Sequence, residues 1–209
     1  MDSCNLNVNH LRAALICAAS KDIRYYLNAV LVSVRAREVL TVSTDGHRLS
    51  VIRRAHAEDE ADCAPAEIII PRDTLKGIKA ARGLECVLHY DAANPLAECK
   101  LDGLKDGGRT FAPVDARYPD WTRVIPDKVD GTPAHFNPFY LADFTSLVQM
   151  LANGNIFAEV HTDGDRTAGV TCASAPEFIG ALMPMRFAVP EYALPEWLAG
   201  RPEKLKAVA

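Results

Sequence analysis

Residues 21–54, KDIRYYLNAVLVSVRAREVLTVSTDGHRLSVIRR, decide the fold. Three apolar runs stand in this stretch, at residues 27–34, 39–43 and 49–52, rich in Leu, Val and Ile. Such runs favour pleated, half-buried strands. Between the last two sits Thr44-Asp45-Gly46-His47, a tight-turn signal in which Gly46 takes a positive φ without a Cβ to clash. The stretch reads as antiparallel strands with punctuation at both ends.

Working outward, residues 5–19, NLNVNHLRAALICAA, read as a strand fragment and then a helix. Asn9 is the expected N-cap, and Leu11, Ala14, Leu15 and Ala18 fall at i, i+3, i+4 and i+7. Residues 55–65 form an acidic, solvated linker. Ile68-Ile69-Ile70 makes a strand, and Pro71 opens a second helix that runs to about Arg82 and ends near Gly83. Short strands follow at residues 86–90, 97–101 and 109–112, broken by Asn94-Pro95 and Gly107-Gly108. A connector with Pro119 and Pro126 leads to a strand at 134–136. A third helix spans residues 137–152, with Asn137 as N-cap, Pro138 just inside and Asn153-Gly154 as the stop. Strands close the pattern at 156–162, 167–172 and 178–183, the first two joined by Asp163-Gly164. This is one motif three times: a strand, a helix, then about three strands. No single unit buries a helix face by itself, so the units must pack side by side.

Composition narrows the function classes. The 209 residues, 49% hydrophobic, suffice for one large or two small domains with a real core. No run approaches the ~18 consecutive apolar residues that span a bilayer. The first ten residues lack a basic segment followed by an apolar one, so no signal peptide is expected and the expected location is cytoplasmic. The six cysteines have no C-x-x-C spacing and read as reduced, packed thiols, with no metal and no cofactor expected. There is no phosphate-binding loop, no H-E-x-x-H and no G-x-S-x-G, so no enzyme is expected. Asp45 and His47 flank a turn glycine and read as local hydrogen-bond partners rather than an acid–base pair. A net charge of −4 argues against a nucleic-acid coat, although a local basic surface still attracts phosphates.

Arg24-Tyr25-Tyr26-Leu27-Asn28 followed by Thr44-Asp45-Gly46-His47-Arg48-Leu49 resembles the middle domain of the β sliding clamp of bacterial DNA polymerase III, where "RYYLNG" and "ATDGHRL" lie at nearly this separation. Residues 115–126, DARYPDWTRVIP, are similar to that family's "DGRFPDYRRVIP", and residues 183–187, MPMRF, to its terminal "MPMRL". The resemblance covers roughly residues 4–187. It implies an α+β, DNA-clamp-like fold of three strand-helix-three-strand half-units, with sheets outside and helices on one face. The implied division is a complete clamp-like domain over residues 1–127, a half-domain over 128–187 and a tail over 188–209. The chain then resembles the middle domain followed directly by the second half of the third.

The resemblance also implies a DNA replication processivity factor that tethers a polymerase, or else a peptide-binding decoy or adaptor that competes with a full clamp for polymerase motifs. In the family a hydrophobic groove receives short linear motifs from polymerases and other replication proteins. The groove carries over to Leu27, Thr44, Gly46, His47, Arg48, Leu49, Pro126, Met183, Pro184 and Met185. Met lines adaptable apolar pockets, and Gly46 lets a backbone approach closely. Arg72, Lys76, Lys79 and Arg82, at steps of four, three and three, would share one face of the second helix and meet double-stranded or primed DNA without sequence preference. Lys21, Arg24, Tyr25 and Tyr26 are further DNA candidates, because Tyr beside Arg stacks on exposed bases. The third helix, with Asp143 and no Lys or Arg, is not expected to bind DNA. A homo-oligomer is expected, and no membrane partner.

Overall fold

The computed structural model describes residues 1–79, 83–154 and 156–186, together with residues 193, 195 and 197. The chain opens with β1 (Asp2–Asn7) and α1 (Val8–Cys17), then β2 (Ala29–Arg35), β3 (Glu38–Thr44) and β4 (Arg48–Ala55). A second unit follows, made of β5 (Ala66–Pro71), α2 (Arg72–Leu75), β6 (Glu85–Tyr90), β7 (Cys99–Asp102) and β8 (Arg109–Phe111). The third has α3 (Pro138–Leu151), β9 (Glu159–His161), β10 (Ala168–Thr171) and β11 (Phe178–Leu182).

Two antiparallel sheets result. One has the order β1-β6-β7-β8, the other β5-β2-β3-β4-β11-β10-β9. The first two units exchange strands: β1 pairs with β6 of the second unit, Asp2 opposite Tyr90, and β5 pairs with β2 of the first, Val30 opposite Ile70. The third unit joins through β11, whose Ala181 lies opposite Leu49 of β4. The hairpin read from residues 39–52 is thus the middle of a seven-stranded sheet.

β2 and β3 are buried on both faces, and their alternation assigns side chains to two cores. Val30, Val32 and Ile52 face the helices, with Leu11, Ala14, Phe144, Leu147 and Val148. Leu31, Leu40, Val42, Leu49 and Val51 face the other way, beneath a strap formed by Val114, Ala116, Tyr118, Trp121 and Ile125. Val114 N donates to Ile69 O at 2.9 Å and fastens the strap to β5. Each fully buried aliphatic of this kind contributes about 1.5–3 kcal/mol of transfer free energy. α3 rests directly on β11 because Gly180 has no side chain; a Cβ there would lie 2.8 Å from Phe144 Cε1.

Three details differ from the sequence expectations. The N-cap of α1 is Asn7, not Asn9: its side chain accepts from Asn9 N at 2.8 Å, so the helix starts where the strand ends, without a linker. The second helix does not reach Arg82. It ends after a single turn at Leu75, because Lys76 is extended and Gly77 sits at φ +76°. Glycine is about 1 kcal/mol worse than alanine inside a helix. The Arg109 guanidinium also takes the Thr74 and Lys76 carbonyls, at 2.6 and 2.9 Å, that a longer helix would use. Residues 134–136 form no strand; His135 O instead accepts from Met185 N at 2.7 Å. Among the described residues no helix is long and apolar enough to cross a membrane.

Candidate peptide-binding cleft

The turn between β3 and β4 is built from its own polar atoms. Asp45 Oδ1 accepts from His47 N and Arg48 N at 2.8 and 3.1 Å, and Thr44 Oγ1 accepts from Gly46 N at 3.0 Å. Gly46 has φ +92°, and the Arg24 guanidinium lies where its Cβ would be, 2.8 Å away. Arg24 is held there by Asp22, at 2.7 Å, and by Asp45 O, at 3.0 Å. Hydrogen bonds from Arg24 pull the Asp22 carboxyl down to about 2. His47 Nδ1 is 4.0 Å from Asp45 Oδ1, so the pair shapes the turn and is not a tight acid–base couple.

Arg48 ties this turn to both long helices. Its Nε meets Asp45 Oδ2 at 3.0 Å, one Nη pairs with Asp143 of α3, and the other donates to Ile16 O of α1 at 2.9 Å. The guanidinium carbon lies 4.6 Å over the Tyr140 ring. Burial works against the Arg48 charge, but the Asp143 hydrogen bond and the two carboxylates outweigh it, and the pKa is raised.

Beside this turn lies a cleft of about 220 Å³ at the seam where β4 meets β11. Leu27 and Leu49 form its floor, Met183 and Ala181 one wall, and Trp121 and Val124 of the strap the other. Thr44, Gly46, His47 and Arg48 make its polar rim. Leu27 and Leu49 are core residues, whereas Met183 and Val124 are about half exposed. The floor is therefore fixed and the walls are open to a partner, an arrangement that suits an extended apolar segment.

Seven of the ten residues expected for the groove come together here. The other three lie elsewhere. Pro126 packs against Gly169 of β10, 3.5 Å from where a Cβ would stand. Pro184 lines a shallower neighbouring depression with His47 and Met183, and half-exposed Met185 bonds to His135. Sequence reasoning missed Trp121, Val124 and Thr167. The signal available is the motif at residues 115–126, which contributes only Pro126 to the expected groove.

The DNA candidates separate into engaged and free side chains. Arg72 Nη1 donates to Leu15 O and Ala18 O, at 2.7 and 3.0 Å, satisfying carbonyls at the end of α1. Arg24 is occupied as described, and Tyr25 Oη donates to Asp115 O at 3.1 Å. Tyr26 lines the cleft and stacks edge-on with Tyr25 at 5.7 Å. Lys76 and Lys79 are exposed, as is Lys21 at φ +62°, and Arg82 lies outside the described residues. Arg72, Lys76 and Lys79 therefore do not share one helical stripe. All six cysteines are free and buried, and the described residues hold no group of three metal-ligating side chains.

Comparison with known proteins agrees with the topology. Residues 6–86 match the family model for the central domain of the DNA polymerase III beta subunit. The beta sliding clamp of Vibrio cholerae is 36% identical over 117 residues, covering 54% of this chain and 30% of the relative. That of Escherichia coli K12 is 32% identical over 126 residues, covering 57% and 31%. The chain thus spans about a third of the length of the curated relatives it matches. A crystal structure of the Pseudomonas aeruginosa DNA polymerase sliding clamp, with ligand, superimposes with TM-score 0.67 at 18% identity, covering 89% of this chain and 66% of that one. A putative DNA polymerase III beta subunit from Eubacterium rectale gives 0.65 at 12% identity, covering 90% and 66%. Residues 6–86 are thus similar to the central domain of the DNA polymerase III beta subunit, and the fold is that of the DNA sliding clamps.

Proposed function

We propose that this chain is a non-enzymatic replication factor whose cleft captures an extended apolar segment of a DNA polymerase and tethers it near DNA. The supporting observation is the cleft itself. A rigid floor, a glycine turn at the rim and half-exposed Met183 and Val124 meet at a seam between the first and third units. A peptide of the Gln-x-Leu-x-Leu/Phe type, which the resemblance implies, would place its terminal apolar side chains against Met183 and Val124.

Calorimetry with such a peptide tests the reading. Met183→Ala and Val124→Ala should each weaken binding by about 1–3 kcal/mol, the usual range for truncated anchors. Leu49→Ala is a poor probe because Leu49 is 2% exposed and its loss would injure the fold. Unchanged affinity in both wall variants rejects the cleft as the site.

A second reading, a peptide-binding decoy or adaptor without a DNA role, is favoured by one observation: Arg24 and Arg72, two of the expected DNA contacts, are spent on internal bonds. Salt-dependent DNA binding that disappears in Lys76→Glu/Lys79→Glu supports tethering. Absence of binding at low ionic strength favours the decoy.

A further inference from the structure

Two thiols meet where β1 passes the loop between β4 and β5. Cys4 stands in β1, opposite Leu88 of β6. Cys63 lies at the end of that loop, just before β5. The two thiols are hydrogen-bonded to each other. Cys63 Sγ also donates to Ser3 O, the carbonyl next to Cys4, at 3.5 Å. Backbone bonds hold this end of the loop in place. Cys63 N donates to Ala36 O at 3.0 Å, and the neighbouring Ala64 O accepts from Tyr90 Oη at 2.5 Å.

A base stands beside the pair. His56 Nε2 lies 3.8 Å from Cys63 Sγ, while His56 Nδ1 is shielded and has no partner among the described residues. Cys63, at 9% exposed, is the most accessible of the six thiols. Burial and then the Glu60 charge raise its pKa, with a smaller push from Asp62; the Cys4 hydrogen bond and Arg54 oppose them. A thiol in that setting ionises when a base takes its proton, and the imidazole is placed to do so.

We propose that Cys4 and Cys63 form a disulfide when the protein meets hydrogen peroxide, and that this bond fastens β1 to the start of β5. His56 takes the Cys63 proton, and the thiolate attacks one peroxide oxygen. The S–O bond forms, the O–O bond breaks, and the departing oxygen takes that proton and leaves as water. Cys63 is now a sulfenic acid. The Cys4 sulfur attacks it: the S–S bond forms, the S–O bond breaks, and the hydroxyl leaves with the Cys4 proton as a second water. Two thiols are oxidised and one peroxide is reduced. The bond closes residues 4–63 into a covalent loop and so restricts the unfolded chain. It lies apart from the cleft and does not depend on the peptide reading.

Treating the native full chain with a small excess of hydrogen peroxide, then denaturing it and counting thiols, tests the proposal. The count should fall from six to four, with a mass lower by two hydrogen atoms. A non-reducing digest should contain Cys4 joined to Cys63. The urea midpoint should rise by about 1–2 M and return with dithiothreitol. Cys4→Ser should abolish the link and leave Cys63 carrying oxygen, whereas Cys17→Ser should keep the link. His56→Gln should slow thiol loss at least about tenfold near neutral pH, and the two rates should converge at alkaline pH, where the thiol ionises unaided. Equal rates at every pH overturn the role given to His56. Six thiols surviving in the native protein overturn the proposal. So do oxidised cysteines without a link, or a link from Cys4 to Cys86, which also lies near it.

Discussion

Replacing Arg48 by alanine removes a side chain that touches the β3–β4 turn, α1 and α3 at once. The cost follows from what is left behind. Ile16 O loses its 2.9 Å donor at the end of α1, worth about 1–2 kcal/mol for a shielded acceptor. The Asp45 carboxylate, 16% exposed, loses its cation but keeps two backbone N–H bonds, for about 1 kcal/mol. The Tyr140 ring loses a cation at 4.6 Å, about another 0.5–1 kcal/mol. The total is roughly 2.5–4 kcal/mol. With a urea slope of about 2 kcal/mol/M, the unfolding midpoint should fall by about 1.2–2 M. Asp143→Asn is the control: its carboxylate is 43% exposed, and its loss should cost under about 1 kcal/mol. A midpoint for Arg48→Ala within about 0.5 M of the parent would refute the idea that this guanidinium binds the units together.

Three further outcomes are expected. Gly77→Ala, at φ +76° with no neighbour within 4 Å, should cost about 1 kcal/mol and leave the far-ultraviolet helix signal unchanged, since the helix ends two residues earlier. Burial, helped by Arg54, lowers His10 from 6.5 to about 4, so the folded state holds it neutral where the unfolded chain protonates. Its contribution is complete above pH 6.5 and is lost as the pH falls toward 4; stability should drop by about 3 kcal/mol across that window, less in His10→Gln. Burial also pushes the Cys17 and Cys86 thiols up to about 12. A thiol reagent at pH 8 should therefore label the native protein slowly and all six cysteines after denaturation.

Local chemistry made much of this fold legible. The strands at Val30 and Val42, the Asn137 cap and the Gly46 turn each follow from a few neighbouring residues. Asn9 was mistaken for the cap because Asn7 offers the same carboxamide two residues earlier, and only the position where β1 stops pairing decides between them. The basic stripe breaks at Gly77, because one residue outside the helical region ends the periodicity that Arg72, Lys76 and Lys79 suggest. The cleft floor, Leu27 and Leu49, was legible through the family resemblance alone. Its outer wall was not, because the placement of Trp121 and Val124 depends on how the strap lies across a sheet assembled from distant strands. The role of Asp143 was hidden for the same reason; a carboxylate on an uncharged helix acquires meaning only when Arg48 arrives from 95 residues away.

The exchange of β1 and β5 makes the acidic loop between β4 and β5 dispensable as a covalent link. Each side of that loop holds a strand that belongs to the other side's sheet: residues 2–7 are locked along β6, and residues 66–71 along β2. Cutting the chain near Glu58, an exposed position, should leave two fragments that stay associated and migrate as one species until denatured. Expressed separately, neither fragment could complete its sheet, but mixing them should restore both. During synthesis the first sixty residues must likewise wait for their missing strand. Their edges stay exposed until the second unit emerges, and the chain depends most on assistance against aggregation in that interval.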